Sequence, residues 1–128
     1  MKQQLTQLSL LVRDYDEAIA FYTQKLGFDL LEDTRMSATK RWVRVAPKGS
    51  STGLLLAKAA STEQENCVGN QTGGRVFLFL HTDDLDRDYQ NLKEQGITIV
   101  RERSNESFGK VCVFEDLYGN LWDLIEPN

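Results

Sequence analysis

The chain has 128 residues, of which 15 are Lys or Arg and 19 are Asp or Glu, giving a formal charge of −4, and 41% of it is hydrophobic. That is the size and composition of one compact domain with its own core, expected to span 1–128. The acidic balance and the absence of a Lys/Arg cluster argue against nucleic acid as a partner. No apolar run approaches the ~18 residues of a membrane span, and Met1–Gln7 has no apolar signal-peptide core. Cys67 and Cys112 lack C-x-x-C spacing, so the expectation is two reduced thiols in a cytoplasmic protein rather than a disulfide framework or zinc knuckle.

Leu5–Val12 alternates as a strand, with Leu8, Leu10 and Val12 on one face and Gln7, Ser9 and Leu11 on the other. A helix is predicted over Asp14–Leu26. Asp14 is the N-cap and Glu17 the capping-box acid; Ala18, Ile19, Phe21, Tyr22 and Leu26 make one apolar face, and Gly27 stands where a helix ends. Strands follow over Phe28–Thr34, Lys40–Ala46 and Gly53–Lys58, the second with Val43 and Val45 opposite Trp42 and Arg44. Residues 59–74 are rich in Ser, Thr, Asn, Gln, Glu and Gly and read as a linker, with a helical turn at Thr62–Asn66.

The pattern then repeats. Arg75–Thr82 is a strand, Asp83–Gln95 a helix stopping at Gly96, and Ile97–Arg103, Lys110–Glu115 and Leu121–Glu126 are strands, the last two joined by a tight turn at Asp116–Asn120. Thirteen positions separate Asp14 from Gly27 and Asp83 from Gly96, at an offset of 69. The fold class is therefore α+β: two βαβββ modules, about 5–58 and about 75–127, forming an open concave mixed sheet.

With the Val- and Leu-rich faces packed against the helices, the opposite faces line the concavity. In module one these carry Gln7, Ser9 and Leu11, then Trp42 and Arg44, then Leu54 and Leu56. In module two they carry Phe77, Phe79 and His81, then Cys112 and Phe114, then Leu121 and Asp123. An aromatic and aliphatic lining with a few polar groups is the composition of a small-molecule pocket. Arg44 suits a carboxylate or phosphate. His81 is the only histidine and a candidate acid or base, and Asp123 either orients it, binds a ligand cation or pairs with Arg44. By the same alternation Trp122 faces the helix side and belongs to the core.

Two stretches, V-x-D-x-D-x-A-I-x-F-Y-x-x-x-L-G-F at Val12–Phe28 and F-E-D-L-Y-G-N-L-W-D-L-I-E-P at Phe114–Pro127, resemble those of the vicinal-oxygen-chelate superfamily of glyoxalases, bleomycin-resistance proteins and extradiol dioxygenases. The resemblance spans nearly the whole chain. It implies paired βαβββ modules around a small-molecule site, and a homodimer. The positions of the superfamily's metal ligands hold Gln7, the Leu54–Leu56 region with Leu54 paired to Asp123 by the offset, about Phe77, and Asp123. A divalent ion wants several His or carboxylate donors, so no metal and no other cofactor is expected. The function expected is metal-free binding of an aromatic or anionic small molecule in the concave cleft. The alternatives are a lyase-, isomerase- or dioxygenase-type enzyme using His81 and Asp123 as acid and base or a non-standard metal site, and a regulatory dimer whose pocket is filled.

Overall fold

Asp14 opens the first helix as its place in the sequence predicts: its backbone is extended and its carboxylate accepts the Glu17 N–H at 2.9 Å. The helix is not uniform, however. Helix α1 covers Tyr15–Ala20 and then widens into a π-helical turn over Phe21–Lys25, closed by Leu26 N–H donating to the Phe21 carbonyl at 3.2 Å. The second module's helix, α3 (Leu85–Glu94), is α-helical throughout and is capped by Asp84, whose side chain accepts from Arg87 N–H at 3.1 Å. The expected cap, Asp83, lies one residue too early and instead pairs with Arg87 at 2.9 Å. Cap to glycine is therefore one residue shorter in the second copy. The i→i+5 turn of the first absorbs the difference, so both helices end on a left-handed glycine, Gly27 at φ 76° and Gly96 at φ 69°.

The computed structural model describes residues 1–128 and divides them into two units, Met1–Val68 and Gly69–Asn128. Unit one contains strands β1 (Gln7–Val12), β2 (Asp29–Arg35), β3 (Arg41–Ala46) and β4 (Gly53–Lys58), together with α1 and the short helix α2 (Thr62–Cys67). Unit two contains β5 (Val76–His81), α3, β6 (Ile99–Glu106), β7 (Gly109–Glu115) and β8 (Leu121–Pro127). Each unit forms a four-stranded mixed sheet, in the order β1-β4-β3-β2 in the first and β5-β8-β7-β6 in the second. The first and last strands of each unit pair in parallel and the rest antiparallel. The helix carries the chain over one face before a three-stranded meander returns it to the first strand.

The segment read as a linker is ordered into both units. Ser61 caps α2 by accepting from Gln64 N–H at 3.1 Å. Gly69, at φ 78°, lies so close to the β7–β8 turn that a Cβ there would stand 1.9 Å from the Tyr118 carbonyl oxygen. The turn itself is held by Asp116, whose carboxylate accepts from Tyr118 N–H at 3.0 Å and from Asn120 N–H at 2.9 Å.

Residues paired across a ladder share a face, and this settles which side chains meet the helices. In unit one, Leu54 pairs with Leu8 and Val45, and Leu56 with Leu10 and Val43. These form the buried face on which α1 packs against β3 and β4. In unit two, Trp122 pairs with Leu78 and Phe114, and Leu124 with Leu80 and Cys112; α3 covers this side. Phe114 and Trp122 stack with centroids 5.8 Å apart.

Four expected positions on the concave face are thereby corrected. Leu54 and Leu56 are at most 4% exposed and Cys112 and Phe114 are fully buried, all on the helix side. Their places on the open face belong to Leu55 and to Val111 and Val113. The cause is that β4 reads Leu-Leu-Leu and β7 reads Val-Cys-Val-Phe. Neither alternates in polarity, and a slip of one residue exchanges the two faces.

Candidate functional site

The open face of unit one is a polar row between apolar ends. Ser9 pairs with Leu55 and Leu55 with Arg44, while Gln7 stands one step along at Gly53. Arg44 Nε donates to Gln7 Oε1 at 2.8 Å. Trp42 is half-buried and lines a cavity of about 520 Å³ with Leu55, Ala57, Lys58 and Gln64. The Arg41 guanidinium at its edge is already engaged: it binds both Asp33 oxygens, at 3.1 and 2.7 Å, and Asp16 at 2.9 Å. It also stacks 5.2 Å from the Tyr15 ring centroid, while the Arg41 backbone N–H donates to the Tyr15 hydroxyl at 3.2 Å.

The open face of unit two holds a cavity of about 700 Å³, within the range of small-molecule sites. Val76, Val113 and Leu121 form much of its apolar lining, and Phe79 and Asp123 stand opposite each other in the ladder. Arg75 and Arg101 supply its positive charge. Asp123 is half-buried beside Val113, and burial raises its carboxyl above the usual 3.8, with the Arg101 charge pulling the other way. On the opposite face, burial and then the Asp123 charge push the Cys112 thiol up to about 11.

Of the expected site residues, Gln7, Ser9, Trp42 and Arg44 share the open face of unit one, and Phe79 and Asp123 that of unit two. Phe77 falls in a register shift between Val76 and Leu78, and Val76 takes its place against Leu121 and in the cavity. His81 pairs with Ile125 at the end of β5, exposed and outside the cavity lining. Sequence reasoning overlooked Leu55, Val76, Arg75, Val100 and Arg101. Arg75 precedes its strand. Val100 and Arg101 sit in an edge strand, I-V-R-E-R-S-N-E, whose polarity hides the inward positions.

The ladders also correct the correspondence between the copies. Asp123 pairs with Phe79 and Val113, and the matching residue between Ser9 and Arg44 is Leu55. The offset at this strand is therefore 68, so the partner of Asp123 is Leu55 rather than Leu54.

This arrangement, two βαβββ units each with a helix on one face of a four-stranded mixed sheet, has close counterparts. The Glyoxalase/Bleomycin resistance protein/Dioxygenase superfamily model matches residues 4–124, and the chain belongs to that superfamily. It is 55% identical to an uncharacterised protein of Shewanella frigidimarina, over all of this chain and 96% of the other. Among solved structures it resembles UcmS2, with a TM-score of 0.86 and 29% identity over 98% of this chain and 99% of that one. It also resembles TnmS3, an antibiotic binding protein from Streptomyces sp. CB03234, with a TM-score of 0.82 and 33% identity over 99% of this chain and 98% of that one. No helix is long and apolar enough to cross a membrane.

Proposed function

We propose that the protein binds an aromatic or anionic small molecule on its open sheet faces, without the divalent metal used by catalytic members of its superfamily. The observation that carries this is the content of the open faces. Where metal donors would stand there are an amide already accepting from Arg44, an aliphatic Leu55, Val76 or Phe77, and a single carboxylate, Asp123. A divalent ion needs several hard or imidazole donors, and this set does not fit one. What remains is apolar surface with arginines, the composition of a binding pocket. The likeness to an antibiotic binding protein supports the same reading.

A homodimer belongs to this proposal. Phe79 remains 65% exposed at the centre of its strand, and a large aromatic so placed is suited to a second copy or a ligand. Sedimentation equilibrium measures the assembly, and a monomer at all concentrations refutes it.

The binding test is a thermal-shift screen of aromatic acids and neutral aromatics, run with added zinc, manganese or magnesium and again with chelator. The expected outcome is ligand-dependent stabilisation that divalent ions neither create nor abolish. Stabilisation by a metal alone, at one equivalent per chain, would overturn the metal-free reading.

A further inference from the structure

Arg75 and Arg101 differ from five of the other six arginines; Arg35, near Asp33, also makes no side-chain hydrogen bond, but it lines neither cavity. Arg13 pairs with Glu65, Arg41 with Asp16 and Asp33, Arg87 with Asp83 and Asp88, and Arg103 with Asp86. Arg44 is bound by Gln7. The guanidinium groups of Arg75 and Arg101 make no such bond, yet both border the unit-two cavity, whose only carboxylate is Asp123. The chain has more acids than bases, so two guanidinium groups with no hydrogen-bonded acid beside one apolar concavity, Arg101 acting on Asp123 through its charge alone, are not explained by a shortage of partners.

We infer that the unit-two cavity takes a monoanionic aromatic carboxylate, with its flat body against Val76, Val113, Leu121 and Phe79 and its carboxylate bound by Arg75 and Arg101. This deepens the small-molecule reading above and rests on it. The guanidinium fork matches a carboxylate bidentately, and the apolar floor contributes area rather than direction. Asp123 limits the charge. With its carboxylate ionised the three groups sum to a single positive charge, which complements a monoanion. A phosphate dianion meets a like charge that it cannot displace. The half-burial that raises the Asp123 carboxyl keeps that repulsion unscreened by water. The unit-one cavity does not present the same arrangement: its arginine is held by Asp33 and Asp16, and its other cations, Lys40 and Lys58, are ammonium groups without the planar fork.

Three probes of one ring system separate the terms: naphthoate, naphthamide and naphthyl phosphate, titrated calorimetrically against the full chain. Naphthoate is expected to bind about tenfold more tightly than naphthamide, the scale of one charge-assisted hydrogen-bond set. Arg75→Gln and Arg101→Gln each remove about that factor for naphthoate and leave naphthamide unchanged. Both residues are exposed, so circular dichroism should show native folding in each variant. Asp123→Asn should raise the affinity for naphthyl phosphate more than that for naphthoate. Equal binding of naphthoate and naphthamide, or naphthoate binding indifferent to both arginine variants, overturns this inference while leaving a small-molecule site standing. Failure of all three probes to bind overturns this inference, while the broader reading falls only if the thermal-shift screen also finds no ligand.

Discussion

Arg44 and Gln7 are joined across the open face of unit one, Nε to Oε1 at 2.8 Å, on strands that are not neighbours in the sheet. The bond reaches over β4, at the level where Leu55 offers no polar atom. It fixes both side chains in a half-buried position. Gln7→Ala leaves the guanidinium without that acceptor and should cost about 1 kcal/mol. Gln7→Glu keeps an acceptor, adds charge and should equal or exceed wild type by up to about 1 kcal/mol. Urea denaturation of the three proteins checks the order; a Gln7→Ala protein as stable as wild type would show that the bond contributes nothing in solution.

Leu54 and Leu55 are adjacent in sequence and lie on opposite faces. Leu54→Ala opens a cavity beneath α1 and should cost about 3 kcal/mol. Leu55→Ala removes a half-exposed side chain and should cost about 1 kcal/mol or less. Paired thermal or urea melts decide this, and reversed magnitudes would mean that the register of β4 is wrong.

Cys67 is exposed and Cys112 is fully buried with its thiol pushed up to about 11 by burial and the Asp123 charge. Only a thiolate reacts readily. A disulfide reagent at mildly alkaline pH should titrate one thiol per native chain and two in denaturant. Two fast-reacting thiols in the native protein would contradict the packing of β7 against α3.

The carboxylates respond to acid in opposite directions. Asp33, hydrogen-bonded by Arg41, and Asp86, hydrogen-bonded by Arg103, are held below the usual 3.8. Their contribution to stability is present above that unfolded value and is lost as pH falls through the folded one. Asp123 is raised instead, mainly by burial. Its contribution is complete below 3.8 and disappears as pH rises through its folded value. Asp123→Asn should therefore be more stable than wild type at neutral pH, with the gap closing below 3.8. Melting temperatures of the two proteins across the acid range measure it. A gap that is constant with pH would mean that Asp123 titrates as if unfolded.

Much of the architecture is legible in the sequence because punctuation and periodicity agree there. Asp14, Glu17 and Gly27 announce the first helix, and Ser9 and Leu10 alternate plainly in β1. Legibility fails where polarity does not alternate. Leu54, Leu55 and Leu56 are chemically identical, so only the ladder to Val43 and Val45 tells which of them is inward. Val111 to Phe114 are all buried, so the strand carries no outward mark. The site suffers most, because faces are what define it. Asp123 and Phe79 follow from strand alternation, Asp123 also from the position of the superfamily's last metal ligand, whereas a register shift defeats the same alternation at Phe77. Arg75 and Arg101 were missed because an arginine at a strand end or in an edge strand looks like ordinary surface until the cavity beside it is seen.

The π turn at Phe21–Lys25 has a consequence for how such a chain tolerates change. Without it, one additional codon inside a helix would rotate everything downstream by about a quarter turn, at 3.6 residues per turn, and lift Phe21, Tyr22 and Phe28 out of their shared cluster. With the extra residue looped locally into a wider turn, the chain before and after it keeps its orientation, and Gly27 still ends the helix as Gly96 ends its counterpart. An in-frame insertion is thus confined to one turn. Two units of the same topology can then differ in helix length while both keep the strand order around their helix.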